Sequence, residues 1–116
     1  MKIPDFKNKA NEKGEVESNQ ETFYNLCLFA VSDTFSEVKN SQQGEQKIST
    51  LSGSQGRVWG RIQRKIEDAM DKESKTITLE TAEIELLKKA FENAKFPISW
   101  FKWSILIEDA LDEKNG

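Results

Sequence analysis

Four basic residues at helical spacing are the groups in this sequence best suited to bind a charged ligand. Arg57, Arg61, Arg64 and Lys65 follow one another at intervals of four, three and one residues, so a helix presents them along one side. Guanidinium and ammonium groups in such a row can contact the phosphates of nucleic acid. The alternative is a solvated helix face with no ligand, which the shortness of the row favours.

Carboxylates are numerous, but their positions favour solubility over chemistry. Glu108, Asp109, Asp112 and Glu113 could in principle serve acid-base catalysis or bind magnesium. Acids near the end of a helix are more simply solubilising groups, and nothing in the sequence places a partner beside them that would shift a pKa.

Histidine is absent, and Cys27 is the single cysteine. This composition excludes a disulfide framework, zinc sites built from thiolates and imidazoles, a Ser-His-Asp triad and a Cys-His pair. Cys27 lies within an apolar run and is interpreted as a small buried hydrophobe. The sequence therefore predicts no catalytic, cofactor-binding or metal-binding residue, no cofactor, and a protein that is not an enzyme.

Apolar residues surround the last predicted helix almost completely. Because successive helical residues turn by about 100°, Trp100, Trp103 and Ile107 fall on one side, while Phe101 and Ile105 fall on another. Such a helix either belongs wholly to a core or offers one side to a partner. We expect one side to pack on the preceding helix, and we predict that Trp100, Trp103 and Ile107 bind a protein partner or a second copy.

Hydrophobic periodicity predicts a mainly α protein, a small single-domain bundle of three or four helices in 116 residues. A minor β element near the N-terminus, formed with residues 76–79, is left open. The predicted segments are a flexible arm at residues 1–20 and a single helical domain at residues 21–116, with a long loop at about residues 39–56. The predicted helices are residues 22–38, 57–71, 97–111 and a third helix that starts at Glu80 or Thr78 and ends at Ala94.

Charge and hydropathy restrict location and partners. The net charge of −3 is too negative for a protein that binds nucleic-acid phosphates over its whole surface. We find no run of about 18 apolar residues and no apolar stretch behind the N-terminal lysines, and the single cysteine suits a reducing compartment. These features predict a cytoplasmic protein without a membrane partner.

The order of motifs resembles that of small uncharacterised proteins encoded by tailed bacteriophages and prophages. The matching elements are a Lys-Gly-Glu turn at residues 13–15, the apolar run LCLFAV at residues 26–31, a charged middle helix, and ITLETAEIELLKK at residues 77–89 before the final apolar helix. Residues 76–116 carry most of the resemblance. It implies a phage context, and hence the bacterial host cytoplasm, but no site residues.

The sequence thus favours a non-enzymatic, phage-type accessory protein, such as an inhibitor, that binds and modulates a host or phage protein through its last helix. A small nucleic-acid-binding regulator that uses the basic helix at residues 57–65 is the alternative.

Overall fold

The computed structural model describes residues 1–7 and 9–113, and it is 57% helical, which confirms a mainly α protein. Residue 8 of the predicted arm and residues 114–116 of the predicted domain lie outside the described residues. Within the described residues, the elements in chain order are α1 (Asn19–Thr34), β1 (Ser36–Ser41), β2 (Gly44–Ser49), α2 (Gly53–Lys72), α3 (Thr81–Asn93), a 3-10 turn (Ile98–Trp100) and α4 (Phe101–Asp112).

Helix α1 begins earlier than the sequence suggests and ends earlier as well. The Ser18 hydroxyl accepts a hydrogen bond from the Glu21 N–H at 3.1 Å, so Ser18 is the N-cap, four residues before the predicted start at Thr22. Thr22 is buried instead. The buried side chains Phe23, Leu26, Cys27, Ala30 and Val31 recur at helical spacing.

The prediction of a loop at residues 39–56 is wrong over most of its length. These residues form most of a β-hairpin and the first turn of α2. Strands β1 and β2 pair antiparallel with Ser41 opposite Gly44. Gly44 takes a φ of +106°, which glycine adopts without strain. At the open end, the Thr50 N–H donates to the Phe35 carbonyl at 2.7 Å. Backbone pairing therefore orders a stretch with few apolar anchors.

The segment predicted as a flexible arm is attached to the core. Met1, Ile3 and Phe6 are buried. The Ile3 N–H donates to the Lys75 carbonyl, and the Ile77 N–H donates to the Met1 carbonyl, both at 2.9 Å. Within the described residues, the β element left open near the N-terminus consists of two isolated bridges, one between Lys2 and Thr76 and one between Ala10 and Val16, and the two-stranded sheet lies elsewhere.

Helix α3 begins at Glu80, one of the two starts that the sequence allows, and not at Thr78. Glu80 is its N-cap, and Glu83 completes the capping box by accepting the Glu80 N–H at 2.7 Å. Phe96 is buried, and Pro97 precedes the 3-10 turn that leads into α4. One cluster of buried apolar side chains includes residues from all four helices and from residues 1–6.

Candidate functional site

Helix α4 has one buried side and one exposed side. Ser104, Ile107 and Leu111 face the core, at the spacings of three and four residues that define one side of a helix. Phe101 and Ile105 lie on the opposite side and are 51% and 52% exposed. The apolar character of α4 therefore exceeds what the core can cover.

We use the name α4 apolar face for Ile98, Phe101 and Ile105. Ile98 lies in the 3-10 turn and is 90% exposed. The three residues follow one another at intervals of three and four, so they form one short stripe. Leu106 borders the stripe and is 37% exposed. A stripe of large, exposed apolar side chains on one helix is typical of a surface that binds another protein.

The residues predicted to bind a partner lie beside this stripe or beneath it. Ile107 is fully buried, so its prediction as an exposed binding residue is wrong in this structure. Trp100 is half-buried and meets the Phe29 ring edge-on at a centroid distance of 5.2 Å. Trp103 is half-buried beneath the ammonium groups of Lys9 and Lys102, which lie 5.0 and 4.6 Å from its ring centroid. Neither tryptophan belongs to the most exposed part of the helix.

Sequence reasoning missed Ile98, Phe101 and Ile105 as the exposed stripe. The pattern correctly places Phe101 and Ile105 together on one side of α4. It does not determine which apolar side faces the core, because both sides are apolar. The packing of α4 against α3 and the rest of the core decides that choice.

Phe101 is supported by a group of aromatic rings. Phe96 packs against Phe91 and Phe29 at centroid distances of 5.6 and 5.2 Å. Phe101 meets Phe96 edge-on at 6.2 Å. These rings link α1, α3 and α4, so the half-exposed Phe101 packs against well-packed aromatic side chains on its inner side.

Charged residues are unevenly distributed along the α4 apolar face. Lys95 precedes the face in the chain and Lys102 follows its middle residue, Phe101; both lysines are exposed. The C-terminal half of α4 carries three acids, Glu108, Asp109 and Asp112. Asp112 pairs with Lys88 of α3 at 3.2 Å. The C-terminal end of the face is therefore anionic.

Crowding among the acids disfavours ionisation of Glu108. Partial burial raises the pKa of the Glu108 carboxyl above its usual range. The nearby carboxylates of Asp112, Asp109 and Glu92 raise this pKa further. The C-terminal end of α4 is consequently a region of negative potential.

The predicted phosphate-binding row divides into two parts. Arg57, Arg61 and Arg64 are exposed on one side of α2, and within the described residues none of their guanidinium groups pairs with a carboxylate. Lys65 instead donates to Oε1 of the buried Glu83 at 2.6 Å. Three of the four predicted residues are thus available to a ligand, and Lys65 has a structural contact.

The described residues offer little for covalent or metal chemistry. Burial raises the pKa of the Cys27 thiol, so this side chain stays protonated and unreactive at neutral pH. Across residues 1–7 and 9–113, no three residues of the types histidine, cysteine, aspartate and glutamate gather in a way that could hold a metal ion.

None of the helices in the described part of the chain combines the length and apolarity that crossing a bilayer requires. No protein-family model matches the chain, and no curated protein or solved structure was found to be similar to it.

Proposed function

We propose that this chain is a non-enzymatic accessory protein of phage type, with a small helical-bundle scaffold, that binds and modulates a host or phage protein in the bacterial cytoplasm. The binding surface in this proposal is the α4 apolar face. It replaces the surface predicted around Trp100, Trp103 and Ile107, because Ile107 is buried.

The observation that carries the proposal is the exposure of Ile98, Phe101 and Ile105. Large apolar side chains are unfavourably hydrated when they are left in water, and a contiguous group of them favours contact with another apolar surface. The aromatic rings beneath Phe101 favour binding further, since a side chain that is already ordered loses little freedom on association.

Affinity capture from bacterial lysate, followed by mass spectrometry, tests the proposal. The bait proteins are the wild type, a Phe101→Ser/Ile105→Ser variant, and Val16→Ser as the matched control. Val16 is a lone apolar residue that is 64% exposed and lies outside the α4 apolar face.

We expect the wild type and the Val16→Ser variant to retain the same protein and the Phe101→Ser/Ile105→Ser variant to lose it. A central contact of this kind is worth about 2 kcal/mol or more, which corresponds to roughly a 30-fold loss of affinity. Circular dichroism must show that the variant is folded. Equal capture by all three baits would contradict the assignment of the face.

A second candidate function is the binding of nucleic acid, and the three exposed arginines of α2 favour it. Under this alternative, changing Arg57, Arg61 and Arg64 to Ala flattens the dependence of log affinity on log salt, by about one unit for each phosphate that the variant no longer neutralises. We expect no binding of labelled DNA or RNA at physiological salt, because the row is short and Lys65 is paired with Glu83. A salt-sensitive complex with the wild type would favour the alternative.

A further inference from the structure

The hairpin of β1 and β2 has unpaired backbone groups along its outer edges. Within the described residues, its sheet consists of these two strands alone. Residues that face each other across an antiparallel pair alternate between those that exchange hydrogen bonds and those that do not. The Thr50 N–H donates to the Phe35 carbonyl, which fixes the phase of this alternation. By that phase, the N–H and C=O groups of Ser36, Val38 and Asn40 point outward from β1.

We propose that a second copy of this chain pairs with the outer edge of β1, antiparallel and about a two-fold axis beside Val38. The two hairpins then form one four-stranded sheet. Strand addition to an exposed edge is a common mode of association, because it pairs backbone groups that are otherwise left to water. The edge of β1 is distinct from the α4 apolar face, so this inference goes beyond the proposed function and does not depend on it.

The outward backbone groups match this axis. About an axis beside Val38, Val38 lies opposite its own copy, and Ser36 lies opposite Asn40 of the second copy. The backbone groups of these three residues all point outward, so each facing pair can exchange two hydrogen bonds. Moving the axis to Ser36 or to Asn40 would leave fewer outward groups opposite one another.

The charged residues beside Val38 favour the same direction and register. Glu37 precedes Val38 by one residue and Lys39 follows it by one, so an antiparallel copy places Glu37 of each chain directly opposite Lys39 of the other. An axis beside Glu37 or Lys39, or a parallel copy in register, would set like charges against each other. Within one copy these side chains approach to 3.7 Å, but they are 53% and 62% exposed, so that contact is weak and both can reach a second copy.

Val38 distinguishes the edge of β1 from the edge of β2. Its apolar side chain is 61% exposed. About the proposed axis, the two Val38 side chains lie opposite each other on one face of the sheet and shield each other from water. The edge of β2 has no such centre: an antiparallel copy about Lys47 would oppose two ammonium groups, and one about Gln46 would oppose two amides.

The direction of pairing places the helices of the two copies at opposite ends of the sheet. β1 leaves α1 near Ser36 and reaches the turn of the hairpin at Ser41, about 17 Å away at the rise of a strand. An antiparallel copy runs the other way, so its helices lie beyond the turn of the first hairpin.

The shortness of the edge implies weak association. Stable interfaces bury about 800 Å² on each partner, and one strand of this length covers only a fraction of that area. We therefore expect a reversible dimer with a dissociation constant between about 10 µM and about 1 mM.

Sedimentation velocity of the purified full chain, from about 5 µM to about 1 mM, tests the inference. Val38→Pro removes an outward N–H, and it leaves the hydrogen bonds within the hairpin in place because Val38 and Lys47 exchange none. Lys47→Pro is the matched control, since it removes an outward N–H from the edge of β2. We expect the wild type and Lys47→Pro to dimerise and Val38→Pro to remain monomeric. Dimerisation of Val38→Pro at wild-type strength would overturn the inference.

Exchange of the two charges tests the register without changing the backbone. Glu37→Lys and Lys39→Glu should each weaken the dimer about 5- to 30-fold, because two attractive pairs become two repulsive pairs. Glu37→Lys/Lys39→Glu restores opposite charges across the axis and leaves the net charge unchanged, so it should dimerise within about threefold of the wild type. An equimolar mixture of the two single variants should form a mixed dimer tighter than either variant alone. A double variant as weak as the single variants would overturn the register.

The outcomes are separate from those of the proposed function. A monomeric wild type at about 1 mM overturns the inference, and so do assemblies larger than a dimer, because these would require the edge of β2 as well. Neither result affects capture through the α4 apolar face, which depends on Phe101 and Ile105. Amide exchange in β1 and β2 shows whether the proline variants keep the hairpin; if Val38→Pro unfolds it, the charge variants decide.

Discussion

The ion pair between Lys65 and Glu83 joins α2 to α3, and its removal should destabilise the fold strongly. The Glu83 side chain is 2% exposed, and the Lys65 side chain is 32% exposed. Oε1 of Glu83 accepts from the Lys65 ammonium at 2.6 Å and from the Glu80 N–H at 2.7 Å. Within the described residues, Oε2 of Glu83 accepts no hydrogen bond although it is buried. The charge of this buried carboxylate is therefore compensated chiefly by Lys65.

Lys65→Met keeps most of the aliphatic side chain and removes the charge. Leaving one member of a buried ion pair without its partner costs about 3 to 5 kcal/mol. Lys65 is one-third exposed, so water can partly replace its ammonium group beside Glu83, and we expect a cost of about 2 to 3 kcal/mol. For a chain of this length, this free energy corresponds to a fall in melting temperature of roughly 6 to 18 °C.

A double-mutant cycle measured by urea denaturation separates the charge pair from the helix cap. Glu83→Gln removes the charge but keeps an oxygen that can accept the Glu80 N–H. The Lys65→Met/Glu83→Gln double variant should therefore lie closer to the wild type than Lys65→Met does. Arg64→Met is the control, because Arg64 is exposed on the same helix and should change stability by no more than about 0.5 kcal/mol. Unfolding of Lys65→Met at the wild-type urea midpoint would refute the reasoning.

Three further predictions concern the core, the hairpin and the acidic end of α4. Leu87→Ala should destabilise the protein by about 2 to 5 kcal/mol in urea denaturation, because Leu87 is fully buried, and a wild-type midpoint would contradict this. Gly44→Ala should destabilise the hairpin by about 1 to 2 kcal/mol, because alanine is strained at the Gly44 φ of +106°. The added methyl group itself fits, since within the described residues no atom beyond the chain neighbours lies within 4 Å of it. Faster amide exchange confined to β1 and β2 would confirm this prediction. The folded pKa of Glu108 is raised above its ordinary value of about 4.5, so the contribution of this carboxyl to stability falls as pH rises from that value through the folded pKa. Glu108→Gln should therefore melt higher than the wild type at pH 7 and equally at about pH 3, measured at a protein concentration too low for association; a lower melting temperature at pH 7 would contradict the sign.

The sequence predicts α3 and all but the first turn of α2, because their apolar residues repeat at the period of a helix. In α3, Leu87 and Phe91 mark the buried side, and the Glu80 and Glu83 pair marks the start. These signals are local, so they can be read without knowing what packs against them.

The hairpin could not be predicted in the same way. Every residue of β2 is exposed, as is nearly all of β1. An exposed strand has no buried face, so it shows no alternation of apolar and polar residues. Its order comes from backbone hydrogen bonds, from Gly44 and from closure at Phe35 and Thr50, none of which depends on side-chain hydropathy.

The candidate site was predictable only in part, because its decisive contacts join distant residues. The spacing places Lys65 in the basic row with Arg57, Arg61 and Arg64. In the structure its ammonium donates to Glu83, 18 residues further along the chain, so it is not available to a ligand. Ile107 resembles its exposed neighbours in type, yet the packing of α4 buries it completely.

Under the proposed function the exposed side of α4 binds a partner, and the aromatic rings beneath Phe101 hold that side in place. Residues on the exposed side contribute little to the core, so they are free to bind another molecule. Phe101 nevertheless touches Phe96, which is itself held by Phe29 and Phe91. Binding at this position therefore meets a side chain that is already positioned, and the cost in conformational entropy is smaller than on a mobile loop. For this reason Phe101 should contribute more to association than Ile98, although Ile98 is the more exposed of the two.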